Sequence, residues 1–354
     1  MVDTPLVVCL GYPHYIESGY VERTCAIDPS IEVVGLPVNS GSEWITIPPG
    51  DPHPEPPEWA TSVADERSAA LARTHVLIAL HTPQDLPSLA PNLRWLHGIG
   101  AGIEQFVAAG VMSDRTLVTN SSGVSSGSMA EFVIGRLLAF WKHFGEQFEL
   151  QRRHEYARTY GRTFAGSTIG IVGLGSIGVA VAERCRALGC RVLGQKRSFR
   201  PGMTSPVADE LFGPEGLREM LAQCDAVVVS APATDETRHL IGKAELAAMP
   251  KGAVLVNVAR GSLVDEDALA IALRNGSIGG AALDVFSEEP LPPHSPIWDL
   301  PNTLVSAHSS VSTDRYIDDV FDLFLENLGH FVAGQPMRNL VDMQAHGFRS
   351  GEAS

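Results

Sequence analysis

Short runs of Val, Ile, Leu and Ala recur along the chain, separated by stretches in which apolar residues return every three or four positions. A continuous apolar run bounded by turn residues reads as a buried strand, and a 3.6-residue period reads as a helix. Early in the chain, Pro5–Leu10, Ile31–Leu36, His75–Leu80, Leu93–Leu96 and Thr116–Thr119 are strand candidates. Residues 40–58 are crowded with Pro, Gly, Ser and acids and read as a long surface loop. Ser125–Phe144 carries an apolar face of Phe132, Ile134, Leu137, Leu138 and Trp141, which predicts a helix, with Ser125, Ser126 or Ser128 as its cap. Thereafter the alternation is regular. Thr168–Val172, Arg191–Gly194, Ala226–Ser230, Ala253–Val258, Gly280–Val285 and Thr303–Ala307 read as strands with helical segments between most of them. Thr313–Ala333 closes the pattern as a helix, with Tyr316, Val320, Phe321, Phe324, Leu325 and Leu328 on one face.

Strands recurring with helix-length gaps predict an α/β protein of two doubly wound parallel-sheet domains. A chain of 354 residues suits two domains. The expected division is 1–118 plus 310–340 for one domain, 119–309 for the other, and a polar tail at 341–354. At 44% hydrophobic and 19% charged residues, the chain can bury a substantial core. A formal charge of −15 argues against nucleic acid or an anionic membrane as partner. The five cysteines form no C-x-x-C and their number is odd, so reduced thiols in the cytoplasm are expected. No signal-peptide pattern opens the chain, and no apolar stretch approaches the roughly 18 residues of a membrane span.

The stretch TIGIVGLGSIG, residues 168–178, organises the rest. A strand leads into Gly173, Gly175 and Gly178, spaced G-x-G-x-x-G, and a helix follows, with Gly189 as its stop. Gly173 lets the chain turn off the strand, Gly175 leaves room for a pyrophosphate beside the backbone, and Gly178 lets the helix pack closely on the sheet. The helix N-terminus offers N–H groups and partial positive charge to phosphates.

Ligands of such sheets bind beyond the carboxyl ends of the strands. Three chemically able residues follow predicted strands: Arg260 after AVLVNVA, Glu289 beyond GAALDV, and His308 after TLVSA. Hydride transfer to a ketone needs a proton donor for the developing alkoxide and a cation for an acid substrate. His308 supplies the proton, Glu289 orients that imidazole, and Arg260 offers a planar fork to a carboxylate. No zinc spacing is found among the twelve histidines. Tyr12, His14, Trp44 and His53 are candidates for the substrate pocket; Met112, Met129 and the other aromatics read as core.

These segments resemble the D-2-hydroxyacid dehydrogenase family, which includes glyoxylate, hydroxypyruvate and D-lactate reductases and 3-phosphoglycerate dehydrogenase. GIVGLGSIG, VNVARGSLVDEDAL from Val256, AALDVFSEEPLP from Ala281 and NTLVSAHSS from Asn302 carry the likeness, which spans about residues 70–335 and touches GIGAGIE and SMAE. The resemblance implies a flavodoxin-like substrate domain and a Rossmann-type cofactor domain with a cleft between them, usually in a homodimer. It implies Arg260 as the substrate-binding arginine and Glu289–His308 as the acid–base pair; Glu289 is chosen over Glu288 because it directly precedes Pro290. It implies backbone N–H groups near Ala101 and Gly102 on the substrate carboxylate, and Ser176 and Ile177 on the pyrophosphate. Ala231, Pro232, Val258, Ala259, Asp284 and Ser310 complete the expected cofactor contacts.

Two departures from the family pattern matter. NAD-preferring members carry an acid after the second strand of the cofactor domain, whereas here Gln195 runs into Lys196, Arg197 and Ser198, with no acid between Cys190 and Val207. Lys196 and Arg197 attract a 2′-phosphate that a carboxylate would repel, so NADP(H) is preferred over NAD(H). The usual Pro before the catalytic His is Ala307, and Ser309 and Ser310 replace small glycines after it. The expectation is an NAD(P)-dependent oxidoreductase acting between a small 2-oxo acid and its D-2-hydroxy acid. The alternatives are a dinucleotide-sensing binding protein resembling the corepressors built on this scaffold, and a dehydrogenase of formate or phosphite.

Overall fold

The computed structural model describes residues 5–16, 19–35, 67–83, 85–111, 115–311 and 313–341; the loop at 40–58, with Trp44 and His53, Met112 and the tail beyond 341 lie outside the described residues. The chain divides into two units, Met1–Val124 with Arg315–Ser354, and Ser125–Asp314.

The first unit holds a five-stranded sheet of β1 (Leu6–Leu10), β2 (Ile31–Gly35), β3 (Val76–Ala79), β4 (Trp95–Gly98) and β5 (Leu117–Asn120). Its order is β2-β1-β3-β4-β5 and every pairing is parallel. Strands covered on both faces must be apolar throughout, which is why β3 reads VLIA without alternation. Helix Tyr316–Val332 buries Val320, Phe321, Phe324 and Leu328 against Val8, Leu10, Val76, Ile78 and Trp95. Trp95 stacks on Phe324 with centroids 5.3 Å apart. Each such side chain contributes about 1.5–3 kcal/mol on burial.

The second unit holds seven parallel strands: β6 (Thr168–Val172), β7 (Arg191–Gln195), β8 (Glu210–Phe212), β9 (Ala226–Val229), β10 (Val254–Asn257), β11 (Gly280–Leu283) and β12 (Thr303–Val305). They lie in the order β12-β11-β10-β9-β6-β7-β8, so the strand order reverses between β6 and β9. The two parallel α/β sheets match the expected fold class. Strand β8 was not expected: three residues at a sheet edge are too few to show a period. Helix Ser176–Ala187 stops where expected. Gly189 takes φ +80°, its amide reaches Arg186 O, and the Cys190 amide reaches Cys185 O.

The preceding helix corrects the sequence reading in three respects. It runs Ser126–Trp141, and the chain breaks at His143 with φ +54° before a second helix, Phe144–Arg152. Its buried face is Met129, Ala130, Val133, Leu137 and Trp141, while Phe132, Ile134 and Leu138 sit at the margin. None of the three serines caps it through its side chain; Ser128 Oγ donates to Ser125 O instead, 3.0 Å away.

Beneath the end of β4 runs a chain of buried polar groups. Ser121 Oγ has one proton and donates it to Gly98 O, 2.8 Å away. His97 Nε2, 3.2 Å from Ser121 Oγ, must therefore be a donor, and Nδ1 an acceptor from Thr119 Oγ1 at 2.7 Å. Thr119 Oγ1 in turn accepts the Trp95 indole N–H at 2.8 Å. The chain is satisfied only with a neutral imidazole, and burial pushes the His97 pKa down from 6.5 to about 3. A folded-state value below the unfolded one means that protonation favours the unfolded chain. The stability tied to neutral His97 is complete above about pH 6.5 and is lost as pH falls from there toward 3. Between pH 7 and 5 denaturant unfolding should lose on the order of 2 kcal/mol, and His97→Gln should flatten most of that slope. An identical slope in the variant would remove His97 from the account.

Candidate active site

The functional side chains of the second unit all sit on loops leaving the carboxyl ends of its parallel strands, on one edge of the sheet. At β6, Gly173 takes φ +98°, and a Cβ there would meet the Ala231 backbone at 2.6 Å. The turn is thus wedged against the end of β9, at the point where strand order reverses. A Cβ on Gly178 would come 2.2 Å from Gly173 O, so that glycine lets the helix start beneath the turn. Gly175 differs: among the described residues a Cβ there has no neighbour within 4 Å. Its missing side chain serves no packing among them and leaves space beside the helix N-terminus. Val179 makes the first intrahelical amide bond, to Gly175 O at 2.9 Å, and the amides of Ser176, Ile177 and Gly178 precede it. The turn and its amides fit a dinucleotide pyrophosphate.

Arg260 follows β10 as the residue before a 3₁₀ turn, Gly261–Leu263. The side chain of Asn257, 1% exposed, clamps this loop: it donates to Arg260 O at 2.9 Å and accepts from the Ala259 amide at 3.1 Å. A Cβ on Gly261 would lie 1.9 Å from the Phe286 carbonyl carbon, so the loop after β10 touches the loop after β11 backbone to backbone. That approach brings Arg260 toward Glu289.

Glu289 Oε1 accepts the Phe286 amide at 2.9 Å, and Oε2 lies 2.8 Å from His308 Nδ1. Burial alone raises the Glu289 pKa. The hydrogen bonds from His308 and Phe286, together with the charges of His308 and Arg260, outweigh it and hold the carboxyl below its ordinary value. With Nδ1 committed to Glu289, Nε2 is the nitrogen free to exchange a proton. His308 itself stands at φ +46°, in the left-handed region, and its amide bonds Asp284 O at 2.8 Å.

Asp284, expected beside the cofactor, is 1% exposed, and its carboxylate is occupied within the fold. Oδ1 accepts Ser306 Oγ at 2.7 Å and the Ser309 amide at 2.9 Å; Oδ2 accepts the Ser310 amide at 3.0 Å. Burial disfavours the ion, but these donors prevail and the pKa lies below the carboxylate norm. The sequence reading missed Asn257, Ser306 and Gly261. A lone amide ending an apolar strand, in AVLVNV, was the signal for the first; a serine or glycine in a loop carries none.

Other expected residues are placed as follows. Lys196, half-buried, and exposed Arg197 and Ser198 follow β7; Arg197 lies 3.7 Å from Glu236 in an open pair. Ala231 and Pro232 follow β9, and Val258 and Ala259 follow β10, with Pro232 exposed and the others buried. Ala101 and Gly102 belong to the first unit, in the loop after β4, where Ala101 is exposed. Tyr12 and His14 follow β1 of that unit and pack beside Tyr15 and Tyr20.

Comparison with known proteins identifies the family. The NAD binding domain of the D-isomer specific 2-hydroxyacid dehydrogenases matches residues 134–310. The chain is 34% identical over 299 residues to a glyoxylate reductase of Aeropyrum pernix, covering 82% of this chain and 88% of that protein. Among solved structures, a D-isomer specific 2-hydroxyacid dehydrogenase family protein of Aeromonas salmonicida superposes with a TM-score of 0.79 at 28% identity, over 95% of this chain and 99% of the other. A D-isomer specific 2-hydroxyacid dehydrogenase of Xanthobacter autotrophicus, in complex with NADPH and MES, gives 0.75 at 29%, over 97% and 99%. The chain therefore belongs to the D-isomer specific 2-hydroxyacid dehydrogenase family, and it is an NAD(P)-dependent oxidoreductase.

Proposed function

We propose that the chain reduces small 2-oxo acids to D-2-hydroxy acids with NADPH as the preferred donor. The observation that carries this reading is the Glu289–His308 pair with the Arg260 charge beside it. The nicotinamide, when bound, supplies the hydride. Arg260 binds the substrate carboxylate through its two parallel N–H donors; in the first unit, the amides of Ala101 and Gly102 are the proposed carboxylate donors. His308 Nε2 gives its proton to the oxygen on which charge develops. Glu289 holds the imidazole with Nδ1 as donor and offsets the positive charge of the protonated ring. Proton transfer of this kind contributes about a hundred- to ten-thousandfold in rate.

Cofactor contacts follow from the same loops. Gly175 clears the approach to the amides of Ser176 and Ile177, Gly173 and Gly178 shape that turn, and the Ala231–Pro232, Val258–Ala259 and Ser310 segments flank the rest. Asp284 acts on this site through the Ser309–Ser310 backbone. Lys196, Arg197 and Ser198 follow β7 and offer positive charge and a hydroxyl to a ribose 2′-phosphate, and β7 carries no acid to repel one. The NADPH complex of the Xanthobacter relative supports the preference. A second copy of the chain is the proposed partner. Its seat is helix Phe144–Arg152 and the segment after it, where Phe148, Tyr156 and Tyr160 are 66%, 106% and 82% exposed.

Oxidation of NADPH should follow addition of glyoxylate, hydroxypyruvate or pyruvate. His308→Asn should lower kcat by about a hundredfold or more while NADPH still binds, and Arg260→Ala should lower kcat/KM by a similar factor. Tight NADPH binding without turnover on any 2-oxo acid would favour a dinucleotide-sensing protein. Replacing Lys196 and Arg197 with alanine should raise KM for NADPH about ten- to a hundredfold and leave KM for NADH nearly unchanged; equal changes for both cofactors would reject the 2′-phosphate role. In sedimentation the wild type should run as a dimer, and a Phe148→Asp, Tyr160→Asp variant should shift toward monomer.

A further inference from the structure

We infer that Asn120 and Tyr316 are positioning residues that, with the Ser121 backbone, aim three consecutive amides of the Gly98–Gly102 loop at a small carboxylate. The inference rests on the proposed use of Ala101 and Gly102 for the substrate carboxylate, and adds the device that makes those amides available. Four consecutive carbonyls of the loop are tied back by different donors. Gly98 O accepts Ser121 Oγ at 2.8 Å, and Ile99 O accepts Tyr316 Oη at 2.7 Å. Gly100 O accepts the Ser121 amide at 3.0 Å, and Ala101 O accepts Asn120 Nδ2 at 2.7 Å.

A trans peptide sets the C=O of one residue opposite the N–H of the next. Fixing the carbonyls of Ile99, Gly100 and Ala101 therefore turns the amides of Gly100, Ala101 and Gly102 the other way. The Ile99 amide is still used by the sheet, bonding Ala79 O at 3.1 Å. The next three amides have no acceptor among the described residues. Among the described residues, a Cβ built on Gly100 would find Gly102 N, 3.9 Å away, as its one neighbour within 4 Å, so none of them fills the space beside that amide. Convergent backbone N–H groups over open space form an anion-binding concavity.

The donors are themselves held. Ser121 is 2% exposed, and His97 Nε2 directs its single proton onto Gly98 O. Asn339 Nδ2 bonds Asn120 O at 3.0 Å and Ser122 O at 2.7 Å, pinning the end of β5 from the far end of the chain. Tyr316 opens the helix whose Phe321 and Phe324 are fully buried, so its hydroxyl cannot retreat without moving that helix.

Asn120→Ala frees the Ala101 carbonyl and with it the Gly102 amide; Tyr316→Phe frees the Ile99 carbonyl and with it the Gly100 amide. Each variant should raise KM for glyoxylate and the dissociation constant of oxalate, an unreactive dicarboxylate, by about tenfold, with kcat within about threefold and NADPH affinity unchanged. Asn120→Gln, which keeps the donor, should recover part of the loss. Unchanged KM and unchanged oxalate affinity in both folded variants would overturn the inference. If the wild type turns over no 2-oxo acid, the functional proposal fails, and calorimetric oxalate binding by the same variants still decides this one. Absence of oxalate binding by the wild type would overturn it outright.

Discussion

A buried carboxylate without a cation is the constraint on which the reactive edge of the second unit depends. Among the described residues Asp284 has no ion-pair partner, and it is solvated by the Ser306 hydroxyl and the Ser309 and Ser310 amides. Removing an ion from water is costly unless hydrogen bonds replace the lost solvent. The loop that carries His308 can leave only by stranding that charge, and the loop's donors are what hold the carboxyl below the carboxylate norm despite its burial. Placement of the imidazole is thus coupled to the stability of the whole unit rather than to the loop's own preferences. Glu289 completes the arrangement by a second route, through the Phe286 amide.

The same solution recurs on other loops. Asn257 spends its amide on both sides of the turn that presents Arg260. Asn120 and Ser121 do the equivalent in the first unit. Parallel strands deliver chain ends to one edge but leave the following backbone irregular, with polar groups that no ladder satisfies. A short polar side chain at the strand end satisfies them and fixes the loop in one conformation. Function needs rigidity on irregular backbone, and these half-hidden residues supply it.

This division explains what could be read from the sequence. Eleven of the strands were legible because doubly covered strands need continuous apolar runs, and Gly173 and Gly178 because each answers to a local steric demand. Arg260, Glu289 and His308 could be singled out because all three follow strands at one edge of the sheet. Illegible were residues whose partner is distant in the chain or whose type is ordinary. Tyr316 reads as one more apolar position of an amphipathic helix, yet its hydroxyl serves a carbonyl 217 residues away. Strand β8 is too short to show a period, and the break at His143 has no proline or glycine to announce it.

His308 combines an imidazole with a left-handed backbone angle. Glycine adopts such angles at little cost, whereas a side chain there forgoes on the order of 1 kcal/mol or more. On backbone grounds alone, glycine would suit this position better than histidine. Its presence marks a position where durability has been traded for aim. Attempts to harden this protein against heat should leave residue 308 untouched, since the most stabilising replacements there are also the ones that silence it.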